Sequence, residues 1–377
     1  MIASLVESDS PSRVTHQVLA PPLVVRGPGA WGDSLDAIRA LSRRPLLLGR
    51  SAATAPLRQR CINDLAGHGV KATQAELVFD CCGEDLDRLI SNQPTLEPFD
   101  AVVAIGGGKV LDAGKLLAHR LAIPCVTVPT SAATCAGWTA LANLYSPQGA
   151  FQRDVVLPRC PELLIFDHDL VRTAPPRTLA SGIADAMAKW YEASISSGSN
   201  DDGLVQQALQ VARTLRDQLL LDGEAALADP HSAAWVRVAE GCALTAGLVG
   251  GLGGARCRTV AAHAIHNGLT QLPASAGHLH GEKVGFGVLA QLRLEELLAD
   301  HPLAGQARRQ LLTFFRALHL PVDLAELGLA QTCLQDLQLV CEHACQEGSD
   351  LHLLPFPVQP TDLMAALVST TAEVLWP

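Results

Sequence analysis

The sequence changes rhythm at Pro175-Pro176, and that change limits the folds open to it. Before it, short apolar runs alternate with amphipathic stretches. Pro45–Arg50 (PLLLGR), Ala75–Asp80 (AELVFD), Asp100–Gly108 (DAVVAIGGG), Pro124–Thr130 (PCVTVPT) and Glu162–Asp167 (ELLIFD) read as strands. Asp33–Ser42, Pro56–Gly67, Glu84–Ser91 and Lys109–Ala122 read as helices between them. Strands that are apolar on both faces and separated by helices specify a parallel, doubly wound sheet. After the two prolines only the helical period remains, over Thr178–Ser194, Leu204–Leu221, His231–Leu248, Thr259–Leu272, Glu282–Leu298 and Leu303–Leu318, with further helices to the C-terminus. The expected fold is an α/β Rossmann-like parallel-sheet domain over residues 1–175 and an all-α domain over 176–377. The chain is long enough for both. The first dozen residues are expected to be disordered.

Charge and composition remove several classes of function. The chain carries 28 Lys and Arg against 38 Asp and Glu, a formal charge of −10, and no basic stripe that would grip a phosphate backbone, so no nucleic-acid partner is expected. The longest apolar run, Cys242 to Ala255, is broken by glycines and shorter than the roughly 18 residues of a membrane span. The N-terminal MIASLVESDSPSRV lacks the basic start and apolar block of a secretory signal. Eleven scattered cysteines without a CxxC pair argue against a disulfide framework or a structural zinc knot, and point to a reducing cytoplasm.

Two turns carry ligand-binding chemistry. Ala104–Lys115 (AIGGGKVLDAGK) passes from strand to helix through Gly106, Gly107 and Gly108. Three glycines let a backbone approach a phosphate closely, and the helix N-terminus behind them offers free N–H groups and partial positive charge. Lys109 adds a full charge, and Asp112 lies one turn further on. The spacing is not GxGxxG, so the common dinucleotide fingerprint is absent; a plain tight turn is the bland alternative. Pro129–Trp138 (PTSAATCAGW) follows the next strand and offers the hydroxyls of Thr130, Ser131 and Thr134. Carboxyl ends of strands in such sheets face the ligand crevice, although helix capping is the competing role.

The helical half holds a candidate metal centre. Asp185 lies in an apolar helical stretch, and a buried carboxylate requires a partner. Lys189, one turn on, would supply it as an ion pair. A metal is the other choice. Four of the thirteen histidines, His263, His266, His278 and His280, fall within Ala261–Gly287. His263 and His266 share a helix face, and His280 comes just before Gly281. Asp185, His263 and His280 would give three protein ligands and an open position, as catalytic metals require. The same donor set suits Fe(II) oxygen chemistry, although a nucleotide cradle has no place in that reaction.

GGGKVLDAGK, PTSAAT, GIADAMAKWYEA, AAHAIHNGLT and HGEKVGFG together, in this order, resemble the iron-containing alcohol dehydrogenase superfamily, most closely its glycerol dehydrogenase branch. The resemblance runs from Pro21 to about Leu298. It implies the architecture shared with dehydroquinate synthase: NAD or NADP bound by the first domain, and one divalent metal, zinc expected with iron or nickel as alternatives, in the interdomain cleft. The ligands implied are again Asp185, His263 and His280. His266 is then a candidate proton relay and His278 a substrate-side group. A small-molecule substrate and a homo-oligomer are also implied.

Two departures bear on specificity. Glycerol dehydrogenases of the branch carry an Asp that contacts the polyol in the threonine-rich turn, where this chain has Cys135. TCAGW with GIADAMAKWYEA looks more like the hydroxycarboxylate dehydrogenase subgroup, whose members reduce small 2-oxo acids. Lys189 is a candidate partner for the acid's carboxylate. At the end of the first predicted strand, Leu48-Gly49-Arg50 stands where an NAD-preferring member often has an Asp, and Arg50 favours a 2′-phosphate. Glycerol dehydrogenase is the alternative reading. A dehydroquinate synthase-like lyase is a further rival, which a Glu-His-His metal set would mark. A nucleotide-sensing protein with a relic site would lack one of the three ligands.

Overall fold

The computed structural model describes residues 16–91, 99–254, 257–299 and 301–372. The disorder expected of the first dozen residues, and the reading of the N-terminal segment, fall outside them.

A six-stranded, all-parallel sheet forms the first half. In chain order it contains β1 (Leu23–Gly27), α1 (Ala30–Asp33), α2 (Leu35–Leu41), β2 (Pro45–Gly49), α3 (Ala55–Gly67), β3 (Thr73–Glu76), α4 (Gly83–Ser91), β4 (Ala101–Gly106), α5 (Gly108–Leu121) and β5 (Cys125–Pro129). An antiparallel hairpin of β6 (Leu141–Tyr145) and β7 (Phe151–Val156) follows, then β8 (Leu163–Asp167) and α6 (His168–Val171). Strand order is β1-β8-β5-β4-β2-β3. The four central strands are buried along their whole length, as their unbroken apolar sequences require. Register pairs Gly106 of β4 with Pro129 of β5 and sets the glycine turn beside the threonine-rich turn at the carboxyl edge.

The edges differ from expectation. β1, half-exposed along its length, escaped the sequence reading. The strand expected at Ala75–Asp80 is instead Thr73–Glu76, because Asp85 accepts the N–H groups of Val78 and Phe79, at 2.7 Å each, and draws them out of the ladder. The hairpin had no predicted counterpart.

The second half is helical: α7 (Pro176–Ser197), α8 (Gly203–Ala228), α9 (Ala233–Glu240), α10 (Ala246–Gly253), α11 (Ala261–Leu269), α12 (His280–Leu298), α13 (Pro302–Ala317), α14 (Leu334–Ala344) and α15 (Pro360–Val368). The helix expected over His231–Leu248 is α9 and α10, joined by a π turn at Gly241–Thr245 and running on to Gly253. α7 and α12 are almost wholly buried. One apolar cluster runs from Leu164 and Phe166 of β8 into Ile183, Met187, Val288 and Phe315, so sheet and helices share a core. Among the described residues no helix is long and apolar enough to cross a membrane.

Candidate active site

Three backbones meet closely where small residues allow it. A Cβ at Gly281 would collide with the Ser181 carbonyl, and one at Gly287 with the Ala262 carbonyl. α12 therefore lies directly against α7 and α11, and the residues beside these contacts, Asp185, His263 and His280, converge. Asp185 Oδ1 lies 3.4 Å from His263 Nε2 and 3.3 Å from His280 Nε2. The three ligand atoms all lie within 4.8 Å of one another, the one such group of three among the described residues.

Surrounding hydrogen bonds decide which atoms carry free electron pairs. His263 Nδ1 is 2.6 Å from Glu192 Oε2, and Glu192 Oε1 also accepts from the backbone N–H groups of Val260 and His263. His263 thus donates through Nδ1 and turns the lone pair of Nε2 toward Asp185. His280 Nδ1 lies 3.0 Å from His266 Nε2, and His266 Nδ1 lies 3.0 Å from Asn267 Oδ1. With His280 donating to His266 and His266 to Asn267, His280 Nε2 is likewise an electron-pair donor. Asp185 Oδ1 is buried without a hydrogen-bond partner. Three electron-rich atoms meeting around an orphaned oxygen fit a divalent cation, and this donor set suits zinc or iron.

Electrostatics agree. Burial opposes charge on Asp185, but His280, His263 and Lys189 hold its carboxyl well below the usual range. Burial also opposes a proton on His263, yet Glu192 outweighs it and lifts the imidazole to about 9; at neutral pH a cation would have to displace the proton from Nε2, where the same basicity makes a strong ligand. Burial, with His280 and Lys283 nearby, keeps His266 neutral. His266 stands behind His280 with both nitrogens engaged, away from the cleft. The relay role expected of it does not fit this placement. His278, expected on the substrate side, lies 3.3 Å from Glu282 Oε2 and is not among the residues lining the cleft. Glu282 in turn accepts from Leu279 N and pairs with Arg177, fixing the start of α12 against α7. Lys189 lines the cleft, where its ammonium donates to the Arg258 carbonyl at 3.1 Å.

The cleft, about 380 Å³, runs from the glycine turn to Asp185, His263 and His280. Gly108, Lys109, Asp112, Thr134 and Cys135 line it. Gly107 caps α5 with an ordinary φ of −79°, and a Cβ there would meet nothing. Neither strain nor packing within the protein requires glycine at that position, and the space in front of the α5 N-terminus is open. Gly106 and Gly108 are different: a Cβ would meet Val110 at 2.7 Å or Thr134 Oγ1 at 2.8 Å. Asp112 accepts from Asn143 N and pairs with Lys115, so its oxygens are already engaged. Arg50 and Lys109 both pair with Asp80. A 2′-phosphate would therefore compete with Asp80 for Arg50. Thr130 and Ser131 are not among the lining residues; Thr130 donates its backbone N–H to Gly106. Cys135 is half-exposed there, and burial pushes its thiol up, leaving it neutral.

Sequence reasoning missed four contributors. Glu192 lies two helical turns after Asp185 on the same face, a spacing that pointed to it. The hairpin supplies Asn143 and Phe151–Asp154 to the cleft and docks on α11 through Thr270 and Gln271. Its signal was the Ser146-Pro147-Gln148-Gly149 turn between alternating runs. Arg258 and the His343–Asp350 segment, which closes the far side, carried no recognisable motif.

A parallel-sheet domain with an open anion cradle, joined through a cleft to a His-His-Asp centre, is the build of a metal-dependent nucleotide-linked oxidoreductase. Residues 21–168 match the model of the iron-containing alcohol dehydrogenase family. An uncharacterized oxidoreductase of Synechocystis sp. is 49% identical over 96% of this chain and 93% of its own. Glycerol dehydrogenase of Escherichia coli O6:H1 is 33% identical over 92% and 95%, and hydroxycarboxylate dehydrogenase A of Escherichia coli K12 is 35% identical over 76% and 78%. The crystal structure of a probable glycerol dehydrogenase from Sinorhizobium meliloti 1021 superposes with a TM-score of 0.83 at 27% identity, covering 95% of this chain and 99% of that one. The chain belongs to the iron-containing alcohol dehydrogenase family and is an oxidoreductase acting on CH–OH groups.

Proposed function

We propose that the protein is a metal-dependent, NAD(P)-linked dehydrogenase that interconverts a small 2-hydroxy acid and its 2-oxo acid. The observation that carries this reading is Cys135: a neutral thiol faces the cleft where a polyol-binding carboxylate is expected. A thiol accepts hydrogen bonds weakly and does not hold a diol. It also presents no negative charge to a carboxylate substrate. The similarity to hydroxycarboxylate dehydrogenase A supports the same reading, and the glycerol dehydrogenases among the relatives support the polyol alternative.

Asp185, His263 and His280 would hold a divalent cation, zinc in this reading with iron or nickel as alternatives, whose chemistry is Lewis-acid polarisation of a substrate oxygen. Gly106–Gly108, Lys109 and the α5 N-terminus would hold the pyrophosphate of NAD or NADP, which supplies the hydride chemistry. The chain's own residues prepare the site. Glu192 and His266 fix the ring orientation and tautomer of two ligands. Lys189 holds the segment before α11 in place, and Thr134 offers its hydroxyl at the cleft wall. The test is absorbance at the NAD(P)H band with a panel of 2-oxo acids, then with glycerol, on protein whose metal content is known. Turnover of a 2-oxo acid that disappears on chelation is the expected result. Turnover of glycerol alone, or turnover indifferent to metal removal, contradicts the reading.

A further inference from the structure

We propose that Arg258 is the specificity-determining residue that binds the substrate's carboxylate; this rests on the 2-oxo acid reading above. In such a substrate the reacting carbonyl is one bond from the carboxylate, so the anion's anchor must stand beside the metal centre. Arg258 lies on the segment that leads directly into His263. That segment is pinned on three sides: Lys189 donates to the Arg258 carbonyl, Thr259 Oγ1 donates to Asp350, and Glu192 accepts from Val260 and His263. The arginine's stem crosses Gly250 of α10, where a Cβ would stand 3.1 Å from its Cγ and 3.3 Å from its Cδ. Arg258 lines the cleft and is half-buried.

Among the described residues this guanidinium has neither an ion pair nor a hydrogen bond, although Asp154, also on the cleft wall, is close enough to feel its charge. The other lining cations differ. Lys109 is paired with Asp80 and sits 4.7 Å over the Tyr145 ring. Lys189 donates to a carbonyl of the structure itself. Arg153 is exposed on β7, with no such anchoring. A half-buried arginine without an internal partner, on the same cleft as Asp185, His263 and His280, offers a planar fork that matches a carboxylate with two parallel hydrogen bonds, stronger in a cleft than in bulk water. Lys189, expected from sequence to pair with the substrate's acid group, instead supports the backbone of the residue that does so.

The test uses full-length, metal-loaded protein with Arg258→Gln and Arg258→Lys. Calorimetric titration with oxamate, an unreactive 2-oxo acid isostere, in the presence of cofactor is expected to show a Kd raised roughly tenfold to a hundredfold in Arg258→Gln. Arg258→Lys, which keeps the charge and loses the fork, falls between. kcat/KM for pyruvate drops by at least about tenfold, while that for hydroxyacetone, its uncharged counterpart, stays within about threefold, and bound metal per chain is unchanged. Equal losses on the two substrates, unchanged oxamate affinity, or a larger loss in Arg153→Gln overturn the assignment. If the glutamine variant loses metal or fold, the lysine variant decides by the same criteria. A wild-type enzyme that reduces no 2-oxo acid refutes the parent reading before any variant is made.

Discussion

A carboxylate only 3% exposed stays ionised only if its surroundings favour the charge, and Asp185 is held that way by two imidazoles and a lysine. The residues that make this possible are as informative as the ligands themselves. Glu192, fully buried, sets the tautomer of His263. Glu192→Gln keeps the shape and removes the charge; metal affinity should fall by roughly 10–100-fold in a chelator competition. Unchanged affinity would show that Glu192 only packs. Asp185, His263 and His280 were legible from a buried acid and a histidine cluster. Glu192 was passed over although it shares the helix face of Asp185, because a glutamate in a helix ordinarily reads as a solvated face. At the other end of the cleft, Gly107→Val should leave the fold intact, since a side chain there meets nothing. Cofactor affinity, followed by fluorescence titration, should drop at least about a hundredfold, because the side chain fills the space against the α5 N-terminus. Unaltered titration in a folded variant would remove the cradle.

Elements were legible in proportion to their burial. β2, β4, β5 and β8 are apolar on both faces and stood out in the sequence. β1 and β3 lie at the sheet edges, where burial leaves a weaker pattern: β1 was not read as a strand, and β3 was read two residues late. The β6–β7 hairpin was missed for a different reason: one of its strands is largely exposed and its inner residues face a cleft rather than a core. Most helix positions were read within a few residues, although α8 runs on to Ala228 past its expected end at Leu221; their close approaches were not, since only the three-dimensional contact shows what a glycine makes room for. Gly281 is such a case. Gly281→Ala would push α12 off Ser181 and carry His280 with it. Overpacking of this kind costs about 1–3 kcal/mol or more. A lowered melting temperature together with reduced bound metal per chain is expected, and native values of both would contradict the packing argument.

At the level of the whole molecule, a continuous core ties sheet to helices, and its stability carries a pH signature. Glu295 of α12 is buried beside Gln291, with His301 Nδ1 3.6 Å away; burial raises its carboxyl to about 7, only partly offset by Gln291. A folded-state value above the unfolded one favours the protonated form. Stability is therefore present at low pH and is lost as pH rises from about 4.5 to about 7. The full loss is on the order of 3 kcal/mol at most. Glu295→Gln should accordingly raise the urea midpoint at pH 8 and change it far less at pH 5; equal shifts at both values would contradict this. The same architecture brings the glycine turn, the His-His-Asp cluster and Cys135 to one cleft, and in the proposed reading that cleft serves a 2-oxo acid. The most direct measurement compares kcat/KM for a small 2-oxo acid with that for glycerol, in wild type and Cys135→Asp side by side. A hydrogen bond to a charged group contributes about 1.5–3 kcal/mol, so wild type is expected to favour the 2-oxo acid by at least about tenfold, and Cys135→Asp to move the ratio at least about tenfold toward glycerol. A wild type that prefers glycerol, or a ratio unmoved by the substitution, would contradict it.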